Sequence, residues 1–584
     1  MPVETAFLES SRSIVKAFLS SAVLVDDQAY FVPHVEDTAP TKLIAPGKQG
    51  ATRIIDPAVS PQEPADPDGQ SNVAVTVDLN APAGAIGIPD KSTTNEQSSK
   101  RDHTLDGKTV IDVFARIGIV CAVVRPTKEE LAGLSDLVMN VGANADVVIL
   151  DWVLHDSKFG ERTLELIERM VASSVSESGR ARLIVVYTAE PKLVDIERGI
   201  RKHLKLEEEN PTDSLTITAE GTRICVYGKA GVRPAPIGED RLKTPSELAD
   251  VVVSEFTEMT KGLLSNVAMK SITAIRAKTF QLLRRFDCNV DAPYVTQSAL
   301  ISPERAEEQV AALIVSEIQE ILEDENVGAL ADYDHIIQWL DDRIANGLTL
   351  PAFGDLTSDQ YRAGLIQLVK DGVRKSAVQK LKTDHAVFAS KILPGREKPA
   401  MYVRDVLTGI LRSNPPLPHE ADEILTMLMS LRHRYTNPEP QLVLGTIVAR
   451  TSEDGQTYLL CLQPVCDSVR LPGSRPFAFL SLKPADNHKY CELIVRDGGQ
   501  LKFLALKPSP FMLEMISFSP NRNEKVMADL HEGGFVFSST EGLSFRWIAD
   551  LKPAHAQRIA NNFAHTFSRV GLVESEWNRL GSNL

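Results

Sequence analysis

The chain has 584 residues, 43% of them hydrophobic and 24% charged, which is the composition of an ordinary globular protein long enough for three or four domains. Its 63 Lys and Arg against 78 Asp and Glu leave a net charge of −15, which repels a phosphate backbone and argues against nucleic-acid partners. The scattered cysteines (Cys121, Cys225, Cys288, Cys461, Cys466, Cys491) read as reduced thiols, no apolar run approaches the ~20 residues that span a bilayer, and the N-terminus lacks a basic region followed by an apolar core, so the expectation is a cytoplasmic protein without membrane contact.

Residues 3–20 have helical apolar spacing, and Ala22–Val25 is a short strand-like run that ends in Asp26-Asp27. The stretch at about 31–106 holds nine of the 34 prolines with many Gly, Ser, Asp and Asn. Such a composition buries too little apolar surface to offset its ordering entropy, so it predicts a disordered insertion, with Val73–Leu79 as a local strand. Val110–Ile117 reads as a helix and Ile119–Val124 as a strand. Lys128–Val141 reads as a helix capped by Thr127. Ala145–Leu150 is a near-continuous apolar run ending in Asp151, Leu183–Tyr187 ends at Thr188, and Arg223–Tyr227 closes on Gly228-Lys229, with helices at 162–174 and 194–206 between them. Thr244-Pro245-Ser246-Glu247 then opens a further helix.

Short apolar strands alternating with amphipathic helices predict a parallel sheet covered on both faces, here five strands in a doubly wound α/β domain. Beyond it the periodicity is helical, at about 246–286, 303–324, 333–345, 358–381, 401–412 and 419–434. Strands follow from Leu442 to about 548, and helices return at 553–569 and 574–579. The expected organisation is a 1–265 α/β domain with the insertion, a 266–436 helical region, and a strand-rich α+β domain at 437–584.

Polar residues stand where the strands end. Asp26 and Asp27, Asp151, Thr188 and Lys229 would converge on the rim of a parallel sheet where ligands bind. Three converging carboxylates repel one another unless a cation lies between them, and oxygen ligands suit Mg²⁺. A carboxylate nucleophile with a metal, a hydroxyl and a lysine around it is a pocket for a phosphoryl group.

The order Asp26-Asp27, Asp151, Thr188-Ala189, Lys229 resembles the receiver domain of two-component response regulators, a flavodoxin-like fold, over about residues 10–265. The resemblance implies that Asp151 accepts phosphate from a histidine kinase. It implies that Asp26, Asp27 and Asp151 hold Mg²⁺ with the backbone carbonyl of Val153, that Thr188 is the switch hydroxyl, and that Lys229 pairs with the phosphate. The chain departs from the family pattern in three places. Ala230 stands where proline follows the lysine, Val226 stands at the aromatic switch position with Tyr227 one place later, and Asp151 lies 124 positions after Asp27.

Other candidates weigh less. Cys461 and Cys466 lack zinc-knuckle spacing, and His335 has no nucleotide-binding glycine motif beside it. Arg284-Arg285 and Arg432-His433-Arg434 read as solvated helix ends. The stripe Leu248, Val251, Val252, Phe256, Met259, Leu263, Leu264 suits either a core face or a dimer seam. No enzyme motif follows the receiver, so the only chemistry expected is its own phosphorylation and dephosphorylation. The whole arrangement is similar to the divergent receiver proteins of bacterial anti-phage operons. There a sensor kinase is paired with two receivers, one carrying a toxic effector and the other draining phosphate. The similarity implies the second kind; the alternative is a response regulator whose C-terminal half is an unrecognised effector enzyme or interaction module.

Overall fold

The apolar runs of the first 250 residues assemble into one sheet. In the computed structural model, the described residues are 4–31, 104–130, 133–142, 144–155, 160–173, 181–206, 215–219, 221–231, 239–301, 303–346, 357–392, 411, 421–452, 455–486, 491–506 and 512–567. Ser21–Val25 (β1), Val120–Val124 (β2), Val147–Leu150 (β3), Arg182–Thr188 (β4) and Thr222–Lys229 (β5) are parallel neighbours in the order β2-β1-β3-β4-β5. This is a doubly wound α/β sheet in the flavodoxin-like order, whose crevice opens at the carboxyl ends of β1 and β3. Two short strands complete the β5 edge and were not anticipated. Thr216–Ala219 runs antiparallel to the first half of β5, and Leu242–Lys243 runs parallel to its end.

The strands read as continuous apolar runs because both faces are buried. Leu24, Ile149, Val185 and Tyr187 point into one core, and Val23, Val148, Ile184 and Val186 point into the other. The first core is closed by Ala6–Phe18 (α1), Gly107–Arg116 (α2) and Leu248–Thr260 (α6), through Val15, Phe114 and Phe256. The second is closed by Leu134–Gly142 (α3), Glu161–Ser173 (α4) and Leu193–His203 (α5), through Val138, Ile167 and Ile200. Each of these aliphatic or aromatic side chains contributes about 1.5–3 kcal/mol by leaving water.

Three helix expectations are corrected. The helix placed at 128–141 begins only at Leu134, because Thr127 and Glu130 close a separate turn in which the Thr127 N–H donates to Glu130 Oε2 at 2.9 Å. The long helix placed at 246–286 is three: α6, Leu263–Ala277 (α7) and Thr279–Arg285 (α8), with the first break at Lys261-Gly262. The 358–381 helix is split at Gly372, whose φ of +71° ends Ser358–Asp371 before Lys375–Asp384 begins. The capping box at Thr244 and Glu247 is present, opening a 3₁₀ turn at Pro245–Glu247 that leads into α6.

The predicted insertion lies mostly outside the described residues, as do the predicted strand at 73–79 and most of the helices at 401–412 and 574–579. Its far flank belongs to the fold: Leu105–Asp106 pairs in parallel with Ala29–Tyr30, Leu105 is buried, and Asp106 caps α2 by accepting the Thr109 N–H. Leu105 and Asp106, placed in the insertion by the sequence, are therefore part of the described fold.

The chain divides into two units, Met1–Asn346 and Gly347–Leu584, so the division falls inside the helical stretch that sequence set apart as 266–436. The physical reason is packing in the first unit. α7 lies on α1, where Asn266 Nδ2 donates to Ser11 Oγ at 2.9 Å in a buried contact. Asp291–Ile301 (α9), Pro303–Asp324 (α10) and Tyr333–Ala345 (α11) follow, and Asp342 of α11 accepts the Thr5 hydroxyl proton at 2.6 Å.

The second unit holds a nine-stranded antiparallel sheet. Five of its strands match the predicted ones within a few residues, and Leu493–Asp497, Leu513–Phe518, Asp529–His531 and Ser544–Asp550 were missed. Phe477, Phe479, Phe518 and Phe545 fill one side of it. The helix Pro553–Phe567 closes the other side through Ala556 and Ile559.

Candidate functional site

Register brings the strand ends level. Val25 is opposite Val124 on one side and Leu150 on the other, and the Asp151 N–H donates to the Val25 carbonyl at 2.9 Å. Asp26 and Asp151 are thereby forced side by side at the switch point. Asp26, Asp27 and Asp151 each offer a carboxylate oxygen, and these oxygens all lie within 4.8 Å of one another.

The end of β5 supplies the counter-charge. Lys229 Nζ lies 2.8 Å from Asp26 Oδ2 and 2.8 Å from Asp151 Oδ2, with all three residues buried. Burial pushes the Asp151 carboxyl up to about 7; Lys229 opposes that rise and Asp26 adds to it. Burial works against the charge of Lys229, but Asp151 and Asp26 outweigh it and hold the ammonium above its ordinary range. Tyr187 adds its ring face, 5.9 Å from Lys229 Nζ.

Each remaining acceptor has a definite state. Asp26 Oδ1 accepts the Gln28 N–H at 2.8 Å, and Asp151 Oδ1 accepts a long contact from the Val153 N–H at 3.4 Å. Asp27 Oδ2 accepts the His155 N–H at 3.2 Å, with the His155 ring Nδ1 at 3.3 Å. Asp27 Oδ1 is buried and has no hydrogen-bond partner. Three clustered carboxylates, only two of them paired with the Lys229 ammonium, together with an unpartnered buried oxygen on the third, are the donor set a small hard dication requires. The three aspartates therefore fit Mg²⁺.

Thr188 and Ala189 lie beside Asp151. A cleft of about 160 Å³ is lined by Gln28, Asp151, Val153, Thr188, Ala189 and Glu190. The Thr188 hydroxyl oxygen accepts the Glu190 N–H at 3.1 Å, which fixes the turn after β4. The loop after β3 is fixed from below, where the Thr163 hydroxyl donates to the Asp151 carbonyl at 2.8 Å. Gly160, at φ +68°, lets the Trp152 indole pass where any Cβ would lie 2.2 Å from it.

The structure thus brings together Asp26, Asp27, Asp151, Val153, Thr188 and Lys229. The weaker candidates stand elsewhere. His335 lies at the start of α11 against its capping residue Asp332. Cys461 is buried in a strand, where burial raises its thiol to about 12, and Cys466 is exposed. Arg285 pairs with Glu317, and Arg434 with Asp550. Leu248, Val251, Val252 and Phe256 face the core, whereas Leu264 is exposed.

Two features escaped the sequence reading. His155 supports Asp27, and its position four residues after Asp151 was the available signal. Tyr227 is buried, its hydroxyl donating to Glu255 Oε1 at 2.6 Å, with Arg241 stacked 4.7 Å over its ring and Arg223 also paired with Glu255. These partners come from β5, α6 and the turn between them, and nothing local in the sequence announces them.

A strand-end acidic pocket with a bridging lysine, on a parallel sheet of this order, defines a phosphoryl-binding class of α/β domain. Residues 18–234 match the family model described as Response receiver domain. Fold, site and match together support a divergent receiver domain in this part of the chain, and with it the general class of phosphoryl-accepting response regulators. Comparison with curated proteins and with solved structures gives no match. No helix among the described residues is long and apolar enough to cross a membrane.

Proposed function

We propose that this chain accepts a phosphoryl group from a histidine kinase onto Asp151. The observation that carries the reading is the Lys229 ammonium bridging Asp26 and Asp151 at the mouth of the cleft that Thr188 and Ala189 line. In the transfer a carboxylate oxygen of Asp151 attacks phosphorus, the P–N bond to the kinase histidine breaks, and the imidazole keeps the electron pair. Lys229 is placed to pair with a phosphoryl oxygen, the Thr188 hydroxyl to donate to another, and the Ala189 methyl leaves the approach open. Mg²⁺ held by Asp26, Asp27 and Asp151, with the Val153 carbonyl as a further ligand, would neutralise charge on the transferring oxygens.

We further read the chain as a phosphate sink in a two-component pathway of anti-phage defence, opposed by a second receiver that carries a toxic effector. What supports the sink is Tyr227. The aromatic residue nearest the usual switch position is pinned by Glu255, Arg223 and Arg241 instead of standing free to report phosphorylation. The competing reading, an effector module switched by Asp151, is favoured by the second unit itself, whose sheet carries an open groove lined by Arg450 and Arg546. The test is reconstitution of the neighbouring kinase and second receiver with this chain added. A sink lowers phosphate on the second receiver, and Asp151→Asn abolishes the effect. Undiminished phosphate on the second receiver beside the wild-type chain would exclude the sink.

A further inference from the structure

Two loops meet at a single histidine beside the acidic cluster. The loop after β2 runs through Arg125 and Pro126, and the loop after β3 runs through His155. His155 stands in the left-handed region at φ +46°, a conformation in which histidine is found more often than most side chains. The turn brings its main-chain N–H to Asp27 Oδ2, 3.2 Å away, and sets the ring Nδ1 3.3 Å from the same oxygen. The far ring nitrogen, Nε2, lies 2.5 Å from the Pro126 carbonyl oxygen. A carbonyl only accepts, so Nε2 carries the proton and donates it. Pro126 is buried, and the ring supplies the donor that its carbonyl needs. The first loop in turn holds the backbone of Asp27, whose carbonyl accepts the Arg125 Nε–H at 3.2 Å.

This clasp decides which oxygen of Asp27 is left over. Oδ2 takes both contacts from His155, while Oδ1 is buried with no hydrogen-bond partner. An unclasped carboxylate would turn about its Cβ–Cγ bond and present either oxygen. The Asp27 side chain is 7% exposed and that of His155 16%, so water has little room to take over the contact. His155 is not itself one of the converging ligands. Among the described residues, those are Asp26, Asp27 and Asp151. Its Nε2 is committed to Pro126, so what it contributes is orientation of a carboxylate, the service that partners of ligating groups perform in metal sites.

We propose that His155 is a positioning residue of the cation site: by tying Asp27 Oδ2 to the Pro126 loop it keeps Oδ1 as the oxygen available to the ion. The proposal rests on the reading of Asp26, Asp27 and Asp151 as the Mg²⁺ site. Glycine at this position tolerates the positive φ and retains the main-chain N–H to Asp27, so it removes the ring bridge alone. Glutamine restores a donor, since its Nε2 has the reach of the histidine Nε2.

The test is calorimetric titration of the full chain with MgCl₂ for wild type, His155→Gly and His155→Gln, with thermal unfolding of each in EDTA. The expected result is Mg²⁺ affinity about tenfold lower in His155→Gly, unfolding of that variant in EDTA at or above the wild-type temperature, and recovery of most of the affinity in His155→Gln. A His155→Gly chain that binds as tightly as wild type overturns the proposal and leaves the metal site standing. Weaker binding that His155→Gln fails to recover overturns it too, because the bridge to Pro126 would then not be the cause. A wild type that binds no Mg²⁺ overturns the metal reading itself, and the proposal with it.

Discussion

Lys229 Nζ stands 2.8 Å from Asp151 Oδ2, and because the same nitrogen is 2.8 Å from Asp26 Oδ2, one ammonium holds two buried carboxylates together. That contact joins the ends of three strands, and removing it leaves two buried acids facing each other. Breaking a buried ion pair by removing one partner typically costs about 3–5 kcal/mol. Lys229→Met should therefore lower the stability of the first unit by about 3 kcal/mol in denaturant titration, and millimolar Mg²⁺ should return part of the loss. A variant as stable as wild type without Mg²⁺ would show that the bridge is not structural.

Asp27 Oδ1 is the unpartnered buried oxygen of the acidic cluster, so it is the acceptor a cation would satisfy first. Asp27→Asn keeps the shape and removes the charge. Mg²⁺ affinity measured by calorimetry should fall at least as much as the roughly 10–100-fold that follows loss of a residue merely supporting a ligand. Equal affinity in the variant would move the cation away from Asp27.

Glu255 gives the first unit an acid limb. Burial raises its carboxyl, but the Tyr227 hydroxyl with Arg223 and Arg241 outweighs burial and holds it below the ordinary 4.5. A depressed folded-state value means that the unfolded chain binds the proton first. The stabilisation is therefore fully present above about pH 4.5 and is lost as pH falls through the folded value. Glu255→Gln should cost about 3 kcal/mol at neutral pH, and the gap between variant and wild type should close below pH 4.5. A gap that persists at acid pH would assign the loss to packing instead of charge.

The flanks of the insertion already meet, since Ala29–Tyr30 pairs with Leu105–Asp106. Loop length adds little closure entropy, about 0.6 kcal/mol per doubling. Replacing 32–103 by a short Gly/Ser linker should leave folding and phosphorylation intact, read by circular dichroism and phosphate incorporation. Loss of either would make the insertion part of the domain.

Much of the first unit was legible because strands buried on both faces are near-continuous apolar runs. Val147–Leu150 and Arg182–Thr188 could be placed from composition alone, and with them the polar residues that follow. The break of α6 at Gly262 was hidden because the apolar stripe continues across it through Leu263 and Leu264. Strands such as Asp529–His531 and Ser544–Asp550 were hidden because charged and aromatic residues mix in them, and their partners come from distant pairing. The Tyr227–Glu255 contact was out of reach for the same reason, with its two residues 28 positions apart on different elements.

Under the proposed function, Asp151 is the acceptor. The measurement is phosphate incorporation from a phosphorylated histidine kinase in the presence of Mg²⁺, compared for wild type and Asp151→Asn. Asn keeps the side chain's shape and lacks the nucleophilic oxygen charge. The predicted result is one acid-labile, hydroxylamine-sensitive acyl phosphate per wild-type chain, dependent on Mg²⁺, and none on the variant. Equal labelling of Asp151→Asn would contradict the assignment.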